Sequence, residues 1–324
     1  MRRLNRNRAG ALQVVDPLLT EIVRSYRPEG FIYDRIVSDI KVQTFTGEYV
    51  VFDDQYWYTN EVETETEDRA PSREVDYEWM KETFSTRRHS LKVSFTDDEV
   101  EQAGQSGVFD LEKDKAEFLA HRMKLAREIR LAKLLLPTSD GGQLNDARKS
   151  TPANNWNTPD ATIEADITAA KLDVYDTIGI DLNTIVIPFK VAYAMAMQED
   201  IRNILAAQIS GGSRNFLEVG DRVLPEVIHG MKVVIPKGTQ KDDAREGGTP
   251  DKKEIWGDDV RLLYVDPNAG RYKPSVMKRF LHTPPTIKRW ENDDPDVTYI
   301  RQHERHDEKV VARDAAHVIR RVLS

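Results

Sequence analysis

The chain has 324 residues, enough for two packed modules or one elaborated domain, and at 39% hydrophobic and 31% charged it is less apolar than a typical globular domain. Its net charge of -8, with both signs interspersed along most of the chain, excludes a broad nucleic-acid-binding footprint. The absence of cysteine excludes disulfides, thiolate catalysis and Cys-ligated metals.

The start, "MRRLNRNR", places Arg2, Arg3, Arg6 and Arg8 in one basic cluster with few apolar neighbours. It reads either as a solvated terminus or as a functional arm. From Leu12 to Ile40 the pattern is one of short helical pieces, with Pro17 and Pro28 as expected interruptions, and the segment reads as an arm lying on something else. "KVQTFTGEYVVFD" then alternates around a turn-prone Thr46-Gly47 pair and becomes β-rich.

Next comes "VVFDDQYWYTNEVETETEDRAPS", which crowds Tyr56, Trp57 and Tyr58 together before the ladder Glu61, Glu63, Glu65 and Glu67. After a turn signal near "DRAPS", "VDYEWMKETFSTRRHSLKVSF" reads as a returning arm. The pair forms a long two-stranded excursion, each arm reaching roughly 50–60 Å at about 3.3 Å per residue. Such a ribbon is marginal alone, so something outside its own chain should support it. In a strand the four glutamates would share one face and guard an exposed edge; the alternative, favoured by the aromatic cluster beside them, is docking against basic surface on a neighbouring copy.

"DLEKDKAEFLAHRMKLAREIRLAKLLLP" predicts a helix over 110–136, with Asp110 as N-cap, Pro137 as stop and a stripe of Leu111, Phe118, Leu125, Ile129, Ala132 and Leu136. At about 1.5 Å per residue it is roughly 40 Å long. The stretch from Thr138 to Pro159 reads as a module boundary. Beyond it, the helix "DATIEADITAAKLDVYDT", the strand "NTIVIP" and the helix "FKVAYAMAMQEDIRNILAA" precede two strand candidates, "HGMKVVIP" and "VRLLYVDP", with a polar loop between them. This is an α+β module, with Phe189, Ala192, Tyr193 and Ala196 as the expected buried face of the second helix. In the tail, "PPTIKRWEN" and "VTYIRQHERHDEKVV" read as long strands, with Thr298, Ile300 and Gln302 on one face and Val297 and Tyr299 on the other. Over "VVARDAAHVIRRVL" helix and strand readings compete.

Candidate chemistry is sparse. "HERH", His303 to His306, places its second imidazole one residue too early for a zinc-protease helix, and a solvated, charge-rich strand is the expectation. The Gly-Gly pairs lack a following Gly-Lys-Ser/Thr and read as turns, and the paired aspartates sit on hydrated loops. No catalytic, cofactor-binding or metal-ligating residue is assigned. No apolar run is long enough to span a bilayer, so no membrane partner is expected and the chain reads as non-secreted.

The order of arm, extended loop, long helix, α+β module and returning strands resembles that of the major capsid proteins of tailed bacteriophages with the Hong Kong 97 type fold. The residues carrying the resemblance are "FTGEYVVFDDQYWYTNEVETETEDRAPSREVDYEWMKETF", "DLEKDKAEFLAHRMKLAREIRLAKLLL", "NTIVIPFKVAYAMAMQEDIRNI", "HGMKVVIP", "IWGDDVRLLYVDP" and "RDAAHVIRRVL". The resemblance implies an N-terminal arm over 1–41, an extended β-hairpin loop over 42–95, and a peripheral domain over 96–158 and 271–324 with its spine helix at 110–136. It implies an axial domain over 159–270. It further implies a shell of hexamers and pentamers of this chain enclosing double-stranded DNA contacted non-specifically, assembled in the bacterial host cytoplasm. A separate scaffolding protein, or an already processed chain, is implied by the short arm; a portal and a cementing protein are the further expected partners. Subunit contacts would come from Tyr56, Trp57, Tyr58 and Glu61 to Glu67, with Arg2 to Arg8 touching DNA, scaffold or neighbours. No Lys occurs from Glu48 to Met80, so the covalent cross-linking of some relatives is not expected here. The competing readings are an encapsulin-like compartment shell and a soluble α+β hydrolase.

Overall fold

The computed structural model describes residues 13–52, 80–106, 110–199, 201, 224–241, 252–293 and 296–323. In chain order these form β1 (Val14–Val15), α1 (Pro17–Ser25), α2 (Tyr33–Ile36), β2 (Ser38–Lys41), β3 (Thr46–Val50), β4 (Lys81–Ser85) and β5 (Arg87–Thr96). Next come α3 (Asp97–Ser106), α4 (Leu111–Leu134), β6 (Lys149–Ser150), α5 (Ile163–Ile178), β7 (Thr184–Val186) and α6 (Phe189–Met197). The remainder is β8 (Val227–Ile228), β9 (Met231–Val234), β10 (Thr239–Lys241), β11 (Lys252–Glu254), β12 (Val260–Leu263), β13 (Met277–Asp293), β14 (Asp296–Val310) and β15 (Ala316–Ile319).

Two larger sheets organise the chain. A sheet of long strands runs β1-β13-β14-β5, with β2 added in parallel to β13, and a six-stranded sheet runs β6-β15-β12-β7-β9-β8. The middle strands of the six-stranded sheet, β7, β12 and β15, are buried at every position, as expected for strands covered on both faces. One face packs Ile167, Val174, Val191 and Met195 of α5 and α6, and the other packs Ile36, Leu131 and Leu135. The third core, between α1, α4 and the long sheet, centres on Leu19, Leu119, Ile287 and Ile300.

The helix α4 starts and stops where its capping signals put it: the Asp110 side chain accepts from Lys113 N, and Pro137 follows the end. Its buried face differs from the expected stripe. Ala116, Leu119, Ala120, Met123, Arg127, Glu128, Leu131 and Ala132 are buried, whereas Phe118 is 56% exposed and Leu125, Ile129 and Leu136 are only partly covered. Two charged residues inside that face masked the true phase of the helix. At the far end, Arg261 from β12 donates to the Leu135 carbonyl at 3.1 Å, placing a buried cation at the negative pole of α4 and joining it to the six-stranded sheet.

Other expectations shift for local reasons. Pro17 does not interrupt a helix; it occupies the first turn of α1, behind Asp16, whose carboxylate accepts from Leu19 N at 2.9 Å. From β1 onward the expected arm is part of the body, because Leu19 and Val23 of α1 are buried against α4 and β13. The Thr46-Gly47 pair lies within β3 and not in a turn. The ribbon is β3 paired with β4 from Thr46↔Ser85 to Val50↔Lys81; Arg87–Thr96, expected in its returning arm, is instead a strand of the long sheet, paired to β14 over ten positions. On α6 the buried face is Val191, Ala192 and Met195; Tyr193 is exposed and stacks edge-on with Phe189. The contested tail resolves as the strand β15.

Candidate assembly surfaces

The ribbon base is fixed to the body by aromatic packing. The Phe84 and Phe280 rings stack 4.5 Å apart at 3°, and Tyr49 lies 5.3 Å from Phe280. Gly47 is required here, since a Cβ at that position would lie 2.7 Å from the Phe84 ring. Around this cluster, the Tyr49 hydroxyl donates to Glu82 at 2.6 Å, Glu82 pairs with Arg313, and Ser85 N donates to Asp307 at 2.8 Å. Burial alone would raise the Glu82 carboxyl, but the Tyr49 hydroxyl and the Arg313 charge outweigh it and hold the group below its ordinary value. The Phe52 N–H donates to the Val311 carbonyl at 3.0 Å, so the chain is anchored to the body as far as Phe52.

A second site is a buried ionic network between α4, β14 and the segment around α2. The alternation on β14 is as expected, with Thr298, Ile300 and Gln302 facing inward. The same face then continues with charged residues: Glu304 is 0% and His306 1% exposed, so "HERH" is a strand whose Glu304 and His306 are interior and not solvated. Arg127 Nε donates to Glu304 at 3.0 Å and its Nη2 to the second carboxylate oxygen. Arg130 donates to Glu308 at 2.8 Å, and the Tyr33 hydroxyl donates to the same carboxylate at 2.9 Å. The His306 ring lies against Glu308 at 3.2 Å and stacks on His89 of β5 at 4.4 Å.

The network also holds the N-terminal segment. Glu128 accepts from Ile32 N and Tyr33 N at 3.2 and 3.0 Å and from Trp256 Nε1 at 2.8 Å, and Arg279 of β13 pairs with Asp39 of β2 at 2.7 Å. Every carboxylate in this interior therefore meets a guanidinium or fixed N–H donors, the condition under which buried charge is tolerated. Burial raises the Glu128 carboxyl, while hydrogen bonds from His306 and Arg130 hold Glu308 well below the usual range against its own burial. Sequence reading missed these groups because charge normally marks surface; the visible signal was the repetition of Glu304, His306 and Glu308 in the inward register set by Ile300.

The residues expected at subunit contacts, Tyr56, Trp57, Tyr58, Glu61, Glu63, Glu65 and Glu67, lie outside the described residues, as do Arg2, Arg3, Arg6 and Arg8. Among the described residues no group of three or more His, Asp or Glu side chains could hold a metal ion, and no helix is long and apolar enough to cross a membrane.

No family model and no curated protein match the sequence. Solved structures do: this is the mixed α+β fold of phage capsid proteins, shared along nearly the whole chain. In particular, a phage-related protein from Bordetella bronchiseptica RB50 matches with a TM-score of 0.68 at 18% identity, covering 96% of this chain and 98% of that one. The mature capsid of bacteriophage PhiM1 matches with a TM-score of 0.54 at 12% identity, covering 91% and 87%. A virus-like particle from Pyrococcus furiosus matches with a TM-score of 0.50 at 11% identity, covering 93% and 95%. At such identities the shared property is the fold.

Proposed function

We propose that this chain is the major capsid protein of a tailed double-stranded DNA bacteriophage, building hexamers and pentamers of an icosahedral shell with the Hong Kong 97 type subunit. The observation that carries the reading is the β3/β4 ribbon: a two-stranded sheet, packed on the body through Phe84, Phe280 and Tyr49, whose strands are linked through the 27 residues numbered 53–79. Two strands alone bury too little to be stable, and a sister subunit is the economical source of the missing contacts. In this reading Tyr56, Trp57 and Tyr58 are loop anchors, Glu61 to Glu67 are a docking edge, and Arg2, Arg3, Arg6 and Arg8 touch DNA, scaffold or neighbours. The peripheral domain, over 96–158 and 271–324, has α4 as its spine, and the axial domain, over 159–270, holds α5, α6 and the strands β7 to β12. A separate scaffolding protein, a portal and a cementing protein are the implied partners, and the virion is the implied location.

Replacing residues 53–79 by a short turn tests this directly. The variant is expected to give soluble, folded subunits that sediment slowly and form no particles in negative-stain images. Shells of ordinary size from that variant would refute it. A shell enclosing cargo protein instead of a genome is the second reading, favoured by the match to a virus-like particle, and particles purified free of DNA would support it.

A further inference from the structure

The outward face of the long sheet carries a cationic cluster that no carboxylate among the described residues neutralises. On β14, Arg301, His303 and Arg305 point away from α4, alternating with the buried Gln302 and Glu304. The register sets Arg301 directly between Lys92 of β5 and Lys288 of β13, and Arg305 opposite Arg88. Like charges directly opposite one another destabilise a sheet, and here three cations span three neighbouring strands.

Among the described residues none of Arg88, Lys92, Lys288, Arg301 or Arg305 has a carboxylate partner. They rest on neutral groups: Arg301 donates to Gln13 at 2.7 Å and lies over Trp290 at 5.4 Å, Lys92 lies over Tyr299 at 5.1 Å, and Arg305 covers Phe45 at 3.9 Å and donates to the Thr86 carbonyl. Arg301 Nε and His303 Nδ1 are buried with no hydrogen-bond partner. Arg88, Lys288, Arg301, His303 and Arg305, with Phe45 and Glu304, line an open cleft of about 500 Å³, and Lys92 lies beside it, opposite Arg301. Burial lowers Arg301 and His303 from their ordinary values, and the Arg88 charge adds to this at both, as expected where cations crowd without a counter-ion.

The missing counter-charge is present in the sequence. Residues 53–79 contain ten Asp or Glu and two Arg, a net -8, which equals the net charge of the entire chain. Glu61, Glu63, Glu65 and Glu67 recur at every second position, so in an extended segment alternate glutamates would meet Arg301 and Arg305, which lie four residues or about 13 Å apart on β14. The parent chain would have to turn back along the ribbon to supply them. The patch adjoins the Thr46/Ser85 end of the ribbon, through Phe45 and Thr86, whereas the chain passes into residue 53 from the opposite end, where Phe52 is bonded to Val311. That exit lies six residues beyond Arg305 along the chain direction of β14, about 20 Å at 3.3 Å per residue.

We propose that this cationic face, centred on Lys92, Lys288 and Arg301, is the receptor on one subunit for the acidic segment 53–79 of a second copy. The inference rests on the shell reading above and names the surface that receives the ribbon. Association through it is electrostatic, so it weakens as salt shortens the screening length.

The test reverses charge on both sides. The triple variant Lys92→Glu, Lys288→Glu, Arg301→Glu is expected to raise the concentration needed for assembly at least tenfold, while subunit circular dichroism stays that of wild type. Adding Glu61→Lys, Glu63→Lys, Glu65→Lys and Glu67→Lys in the same chain is expected to restore assembly to within about threefold. Should the triple variant misfold, the neutral pair Lys92→Gln, Lys288→Gln replaces it, with a loss of the salt dependence of assembly as the expected result. The chain has no cysteine, so Glu63→Cys with Ser90→Cys, the exposed neighbour of His303, reports topology on oxidation. A ladder of linked subunits supports the proposal, and a purely intramolecular link overturns it. Unchanged assembly of the triple variant also overturns it, and if duplex-DNA binding falls at the same time the patch belongs to nucleic acid. Wild-type protein that forms no particles under any condition defeats the shell reading itself, a result distinct from all of these.

Discussion

Removing one member of the Arg127–Glu304 pair should cost far more than removing both. Both side chains are almost wholly buried, with two hydrogen bonds between them, so Glu304→Leu leaves a guanidinium in the interior stripped of both, with the Tyr33 ring at 5.9 Å and the Glu308 charge as partial compensation. Stranding a buried charge in this way costs about 3–5 kcal/mol, whereas Arg127→Met with Glu304→Leu removes the desolvation penalty along with the attraction and should fall within about 1 kcal/mol of wild type. Urea unfolding, followed by the fluorescence of the buried Trp156 and Trp256 at subunit concentrations too low for assembly, reads the difference. With a denaturant slope of about 3 kcal/mol per molar, the single variant should unfold about 1 M earlier and the double variant close to wild type. A double variant as unstable as the sum of its two singles would show that the pair is not coupled, and the account of this interior would be wrong.

Acid should weaken the same interior in a defined window. Burial pushes His306 down to about 4, below its unfolded value near 6.5, so the native ring stays neutral while the unfolded chain takes up a proton. The stability from His306 is therefore intact above pH 6.5 and is lost as pH falls towards 4, by about 3 kcal/mol. His89, His303 and His317 are shifted in the same direction and add to the slope; Glu308, held low, extends the loss at still lower pH. His306→Gln should flatten part of the profile between pH 6.5 and 4, and an unchanged slope would assign the effect elsewhere. Gly47→Ala should cost about 1–3 kcal/mol, because the Phe84 ring that the new methyl meets is itself stacked on Phe280 and cannot retreat. Calorimetric melting at or above the wild-type temperature counts against that packing argument.

How much of this was legible in the sequence depended on whether local chemistry or partner geometry decided the outcome. Asp110 and Pro137 bracket α4 correctly because caps and stops act within a few residues. The buried phase of α4 was not legible, since Arg127 and Glu128 are interior only because Glu304, Trp256 and the Ile32 and Tyr33 amides face them from distant parts of the chain. For the same reason the inward register of β14 was readable through Ile300 and Gln302, while the burial of Glu304 and His306 was not. Arg87–Thr96 has the alternation of a ribbon strand, and nothing local says that β14 will claim it; the cationic face exists only through that pairing. Pro17 was misread because the same ring that breaks a helix interior starts a helix when it follows Asp16.

The long sheet has a consequence for biosynthesis. Its inner strands follow their partners in the chain: β13 receives β1 and β2, and β14 receives β5, while β15 joins β6 to β12 in the other sheet. In a nascent chain still short of Met277, β3 can pair with β4, but β1, β2 and β5 have no partner strand until β13 and β14 emerge. Prematurely terminated products thus lack Phe280 and Val311, the groups on which the base of the β3/β4 pair is packed and bonded.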